Sequence, residues 1–368
     1  MVQQDLFLAL VRLGIGTGTA SGFRFQVSSE IDWDALEELA AEQGLSAVLV
    51  DGIERLPEGI RPPKLVLLQW IGESLQGYEY RYEQYCKTIA ELAAFYKVQG
   101  FKMMVLKGYA CSMDWPKPEH RPCGDIDIWL FGKQKEADKA LGSWFKVNGS
   151  GSEIDNSHHH HTIFYWRDFM VENHYDFVNV RSHKQNRELE KILKKLGEDY
   201  SYSTDLFGEK VYLPSANLHA LFLMCHMVAH FAGLGMTVRQ LLDWAFFVKV
   251  HGKEVDWEWM ENVLEGFGMM NIYDVFNAIC VEDLGFGVSV FSHVQFEPFL
   301  KERVLKEILE PEYGIELPKG LLRSWIYRWH RWKASAWKRE LCYNESKWEA
   351  FWNSLWLHLL SPKTASDE

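Results

Sequence analysis

The chain has 368 residues, a formal net charge of −12 at neutral pH, 47% apolar residues and 16 tryptophans. That length accommodates two or three compact units with real cores. The acidic balance disfavours nonspecific nucleic-acid binding, which depends on Lys and Arg neutralising phosphates, although it leaves room for a local basic pocket.

Taken in chain order, residues 1–100 read as helical. The first apolar run, Leu6 to Val11, follows Asp5 and lacks a basic flank and a small-residue cleavage site, so it is not read as a signal peptide. No apolar run reaches transmembrane length. Asp32-Trp33-Asp34 starts a helix that runs to Gly44, its acidic residues suited to a helix N-terminus. From Lys64 to about Val98 the apolar positions Leu67, Ile71, Leu75, Tyr78, Tyr82, Tyr85, Ile89, Leu92 and Tyr96 keep helical spacing, and Gly100 is placed as a C-cap.

The period then shortens. Phe101 to Leu106 has strand length and ends at Lys107-Gly108; Asp125 to Phe131 reads as a second strand, and Lys133 to Phe145 as a helix. After a Gly/Ser break at 149–152, the runs Thr162–Trp166 and Phe169–Val178 flank Arg167-Asp168 as a hairpin. From Ser215 the chain is helical again, through Asn217–Gly233, Thr237–Val250 and Trp257–Phe267. Trp325, Trp329 and Trp332 share one helical face, expected to turn toward the core with Arg and Lys opposite; a membrane-interfacial or polyphosphate-facing helix is the alternative. Residues 361–368 are expected to be disordered. The pattern divides the chain into an N-terminal helical region (1–84), an α/β core (85–185) and a C-terminal helical domain (186–368), an α+β (mixed α/β) class with a small mixed sheet flanked by helices. The six cysteines contain no C-x-x-C pair, which points to reduced thiols and a cytoplasmic protein.

Chemistry concentrates in Gly124-Asp125-Ile126-Asp127. In a strand, residues two apart face the same way, so the two carboxylates project side by side within an apolar run. Like charges so placed are costly unless a cation neutralises them, and Mg²⁺ or Mn²⁺ held by carboxylates and substrate phosphates answers that need. A two-ion site needs a third carboxylate. The strand Phe169–Phe177 puts Glu172, His174 and Asp176 on one face, with Glu172 the first choice, Asp176 the second, and His174 a positioning group or phosphate contact. Lys107-Gly108 offers a point charge and a close backbone approach to phosphate, helped by the amides of a following helix. Arg121 is open to two roles, a phosphate clamp or an ion pair with one of the aspartates. Arg239 and Asp243, one helical turn apart, read most simply as a salt bridge, with nucleotide contact by Arg239 as the alternative. His158 to His161 is read as a solvated loop edge, because consecutive residues of an extended chain alternate faces. His219, His226 and His230 are read as core histidines, with zinc ligation by the last two as the alternative.

The order Lys-Gly, Arg-Pro-x-Gly-Asp-Ile-Asp-Ile, Val-Glu-x-His-Tyr, followed by Leu218-His219, His226, His230, Arg239-Gln240-Leu241-Leu242-Asp243-Trp244 and Asp256-Trp257, resembles the uncharacterised nucleotidyltransferase family of the DNA polymerase β-like superfamily over about residues 85–270. The resemblance implies transfer of a nucleoside monophosphate from an NTP to a hydroxyl of an acceptor, a small molecule or a protein. Asp125 and Asp127 would match the metal pair, Glu172 the third carboxylate, and Gly108 the Gly-Ser turn that contacts triphosphate. Here Tyr109 follows that glycine, and 17 positions (125 − 108) separate it from Asp125. The alternative expectation is a non-catalytic nucleotide-sensing or partner-binding module, antitoxin-like, on the same fold.

Overall fold

A computed structural model describes residues 3–19, 31–149, 152–233, 235–313 and 321–343. The N-terminal segment forms α1 (Gln3–Ile15), α2 (Trp33–Glu42) and α3 (Ser46–Glu54). Asp32 caps α2 by accepting from the Ala35 amide at 3.0 Å, as its acidic start suggests. The long periodic stretch is helical throughout, as α4 (Lys64–Ser74), a π-helical run over Leu75–Tyr80 and α5 (Arg81–Val98). Gly100 lies just beyond the last helical residue at a left-handed φ of 82°.

The sheet follows. β1 (Met104–Val105) is shorter than expected, and a single turn, α6 (Tyr109–Ser112), comes after it. β2 (Ile126–Trp129), α7 (Gln134–Asn148), β3 (His161–Trp166) and β4 (Phe169–His174) complete the expected core, the β3–β4 turn taking Arg167 at φ 54°. The stretch from residue 186, assigned to the C-terminal helical domain, opens with α8 (Asn186–Leu196). It then supplies another hairpin, β5 (Ser203–Leu206) and β6 (Glu209–Tyr212), turned through Phe207 at φ 52° and Gly208. Its short, polar strands carry little period-two signal, and they become sheet because β6 adds in parallel to β1. The strand order is β3-β4-β2-β1-β6-β5, with β2 parallel to β4 and antiparallel to β1. Helices α9 (Ala216–Ala232), α10 (Val238–His251), α11 (Trp257–Gly266), α12 (Met270–Glu282), α13 (Pro298–Leu309), α14 (Leu321–Ala334) and α15 (Ala336–Tyr343) follow. Gln240 Oε1 accepts the Thr237 amide at 2.9 Å at the start of α10. None of the helices among the described residues is long and apolar enough to cross a membrane.

The two faces of the sheet have different neighbours. Ile126, Ile128, Phe164 and Val171 are fully buried against Tyr85, Ile89, Leu92 and Tyr96 of α5 and Leu141 and Phe145 of α7. Burial of each such side chain stabilises by about 1.5–3 kcal/mol. On this side Asn173 donates to Asp138 of α7 at 2.7 Å, and Thr162 donates to the same carboxylate at 2.9 Å. The opposite face meets the larger helical core, where Trp129 packs on Phe177 and Phe177 on Phe222 of α9. The six cysteines are buried free thiols. The tryptophan stripe departs from its expected role: Trp329, stacked on Trp332, is 48% exposed, while Trp337 packs edge-on against Phe231. The Trp325 side chain and residues 361–368 lie outside the described residues.

The N-terminal helices are held to the rest by buried polar contacts. Gln43 donates to the Ile308 carbonyl at 3.1 Å and accepts from the Val238 amide at 2.9 Å. Asp51 of α3 bonds His120 Nδ1 at 2.7 Å and pairs with Lys117. Burial opposes both charges, but the hydrogen bond and attraction between the partners prevail, holding Asp51 below its usual 3.8 and His120 above its usual 6.5. Stability from the raised histidine is complete below pH 6.5 and is lost as pH rises through its folded value. Stability from the lowered aspartate is complete above pH 3.8 and is lost as pH falls through its folded value. Urea unfolding followed across pH is therefore expected to show a plateau between those limits that flattens in Asp51→Asn. Unchanged pH slopes in the variant would remove this pair as the cause.

Candidate active site

The parallel register of β2 and β4 sets Asp127 directly beside Glu172, and His174 two residues further along the same face. β3 brings His161 opposite His174. Apolar neighbours on alternate positions anchor the other face, so these polar side chains have no choice of direction. Asp125 precedes β2, and its carbonyl accepts from the Tyr85 hydroxyl at 2.8 Å. Lys107 leaves the end of β1, where the Leu106 amide bonds the Asp127 carbonyl at 3.0 Å. The five polar residues read from the sequence as a possible cluster, Lys107, Asp125, Asp127, Glu172 and His174, are thus assembled by strand order alone.

Asp127 is 1% exposed and is the electrostatic centre. Its Oδ1 accepts from Lys107 Nζ at 2.8 Å and from His174 Nε2 at 3.1 Å. Burial by itself would raise the Asp127 pKa, but the lysine charge and the histidine bond hold it well below the carboxylate range. Lys107 is correspondingly driven up against its own burial by Asp127, Asp125 and Glu172. His174 is pushed up to about 9: burial lowers it, and hydrogen bonds to Asp127 and Glu172 (Oε2 at 3.5 Å) more than compensate. The Asp125 carboxyl is raised, first by the like charge of Asp127 and then by burial. Among the described residues, two groups of side chains bring possible ligand atoms within 4.8 Å of one another, Asp127/Glu172/His174 and His160/His161/His174. Asp125 belongs to neither grouping, and Asp176 is drawn away into an ion pair with Lys194.

Of the two roles open to Arg121, the structure has it in an ion pair, but with Asp243 and with neither Asp125 nor Asp127. Nε and Nη2 meet the two oxygens of Asp243 at 2.7 and 2.9 Å, and Trp115 Nε1 adds a third donor at 2.9 Å. Asp243 is therefore not the partner of Arg239 within α10. The Arg239 guanidinium is subject to the charges of Arg121, Asp243 and Asp125, and burial followed by the Arg121 charge lowers its pKa. Opposite the sheet stand His226 and His230 of α9, ring centroids 4.3 Å apart, both kept neutral by burial and the nearby Lys107 charge, His230 down to about 4. The Phe222 ring lies 6.0 Å from Lys107 Nζ. His226 and His230 are among the histidines the sequence assigns to the core, and the i, i+4, i+8 spacing of Phe222, His226 and His230 is the signal that the three share one face.

Gly108 departs from the anion-cradle expectation. The following helix is one turn long, too short to build an anion site at its N-terminus. Its need for glycine is local: φ is 54° with ψ −99°, and a Cβ would meet the Tyr85 hydroxyl oxygen at 2.1 Å. The histidine run departs as well. Residues 158–160 bend and are not extended, and the His160 carbonyl accepts the Tyr175 and Asp176 amides at 3.0 and 3.1 Å. His160 and His161 are thereby turned toward His174, and His161 is 6% exposed.

Residues 29–279 match the family described as uncharacterised nucleotidyltransferase, and the chain belongs to that family. Among solved structures, an antigenic nucleotidyltransferase-like protein from Paracoccidioides brasiliensis aligns at 17% identity with a TM-score of 0.32, covering 45% of this chain and 76% of the other. Comparison with curated proteins returns no match.

Gly108→Ala is expected to cost on the order of 1–3 kcal/mol in urea unfolding, through the strained backbone and the clash. Tyr85→Phe in the same background should recover part of it, because the colliding atom is the hydroxyl oxygen. An equal loss with and without that hydroxyl would place the whole effect in the backbone.

Proposed function

We propose that this protein moves a nucleoside monophosphate from an NTP to a hydroxyl of an acceptor, a small molecule or a protein. The observation that carries the reading is the register of Asp127 beside Glu172 on one sheet face, with Lys107 at the end of β1 paired to Asp127. The donor chemistry fits divalent ions: Asp127 and Glu172 offer carboxylate oxygens within 4.8 Å of each other, and the like charge of Asp127 bears on Asp125 just ahead of β2. Asp125, Asp127 and Glu172 would hold Mg²⁺ or Mn²⁺, which when bound neutralises phosphate charge and lowers the pKa of the attacking hydroxyl.

The chain's own residues then divide the remaining work. Lys107, protonated at all physiological pH, carries further ammonium donors that can meet phosphate oxygens while it stays with Asp127. Arg239 contributes a guanidinium from α10 to the triphosphate. It is available because Arg121 occupies Asp243 in a bidentate pair, which also fixes α10 to the loop ahead of β2. His174 orients Asp127 and Glu172 through one ring nitrogen. Glu172, at the more open edge, accepts the acceptor's hydroxyl proton. Rate enhancement comes chiefly from positioning and charge, as phosphoryl-group chemistry requires.

A second reading, a non-catalytic nucleotide-sensing or partner-binding module, draws support from one feature. Asp127 Oδ1 already accepts from both Lys107 and His174, so the most buried charge is internally neutralised.

Incubation with α-labelled NTPs and Mg²⁺ or Mn²⁺ is expected to release pyrophosphate or transfer label, and Asp127→Asn to abolish it. Arg239→Met should weaken nucleotide binding about ten-fold, the loss of one charge-assisted hydrogen bond. Absence of NTP binding with metal present would overturn the transfer reading. Full cellular activity in an Asp125→Asn, Asp127→Asn double variant would favour the non-catalytic one.

A further inference from the structure

The carboxylates account for only part of the cluster. Among the buried side-chain nitrogens with no hydrogen-bond partner are both ring nitrogens of His161 and Nδ1 of His160. Orphaned polar atoms in a buried position carry a desolvation cost of about 1–3 kcal/mol each, so their convergence calls for a compensating partner. The two rings meet edge to face at 4.2 Å, and lie 5.6 and 5.3 Å from the His174 ring. One ligand atom from each of the three lies within 4.8 Å of the others.

The spacing has a chemical meaning. Two ligands each about 2.1 Å from a tetrahedral ion stand about 3.4 Å apart. His161 Nδ1 and His174 Nε2 stand 3.7 and 3.5 Å from the same oxygen, Glu172 Oε2. These distances are too long for strong hydrogen bonds and are close to the separation a shared ion imposes. Imidazole donors select borderline transition ions, whereas Mg²⁺ prefers all-oxygen shells.

We infer that His160, His161 and His174, with Glu172, form a binding site for a borderline transition-metal ion of the Zn²⁺ or Co²⁺ type, next to the Asp127 carboxylate, the ion taking at His174 Nε2 the place of the proton donated to Asp127, which is released to solvent. The backbone device that builds it is the bend at 158–160, pinned through the His160 carbonyl to the amides just after β4. The site stands whether or not the chain transfers nucleotides, since no part of it depends on NTP.

The test uses the full chain without an added polyhistidine tag and without nucleotide. Isothermal titration with Zn²⁺ or Co²⁺ is expected to show one ion per chain, with visible ligand-field absorption for Co²⁺ and no displacement by millimolar Mg²⁺. A His160→Ala, His161→Ala double variant should bind about 100-fold more weakly, the upper range for losing groups that support a metal site. His159→Ala, which alters the same run where His159 contacts Arg181, should leave affinity unchanged. Equal losses in both variants, or no Co²⁺ spectrum in the unaltered protein, would overturn the site. Should the double variant fail to fold, carbethoxylation of the unaltered protein decides: metal must protect His160 and His161, and equal labelling with and without metal refutes the proposal.

Discussion

The buried negative charge of Asp127 is the constraint around which the rest is arranged. A carboxylate with 1% exposure is tolerable only with cations in contact, and two are present, from the end of β1 and from β4. Each depends on strand order. Lys107 reaches Asp127 because β1 and β2 pair antiparallel, and His174 because β2 and β4 run parallel in register. The apolar face beneath, Ile126, Ile128, Phe164 and Val171, fixes that register, since a slip of one residue would send every charge into the α5/α7 core. Stability of the sheet and charge placement at the site are thus one arrangement.

The helical half does more than cover this face. Arg121 and Asp243 join the loop ahead of β2 to α10 through a buried bidentate pair, and losing one partner of such a pair costs about 3–5 kcal/mol. Arg121 occupies Asp243, the carboxylate that helical spacing alone would assign to Arg239 on the same helix. His226, His230 and Phe222 of α9 form the facing wall, uncharged and partly aromatic, which keeps the local field dominated by Lys107 and Arg239. The histidines at the β3 edge add nitrogen donors beside the oxygens, so one small region offers both hard and borderline ligands.

Much of this was legible in residue order. The long helical stretch, the β3–β4 hairpin and the alternation through Asp125, Asp127, Glu172 and His174 follow from side-chain periodicity, which is a local property. The β5–β6 hairpin was not legible, because polar strands of four residues acquire sheet character only by adding to β1. Nor was the partner of Asp243: helical spacing nominates Arg239, whereas the bidentate fit goes to Arg121 from 122 positions away. The histidine run was misjudged because alternation presumes an extended chain, and two long-range amide bonds to the His160 carbonyl bend it.

By itself the sequence determined which side chains share a face, because the periods of strand and helix are set by backbone geometry. It also determined the charge that needs neutralising, two aspartates two residues apart. Only the tertiary structure decided which cation meets which carboxylate, and that Glu172 lies beside Asp127. It also decided that His160 and His161 turn inward and that Gly108 is required by the Tyr85 hydroxyl. Those outcomes depend on strand order and on contacts between residues far apart in the chain, where burial makes each unsatisfied polar group costly enough to select a single partner.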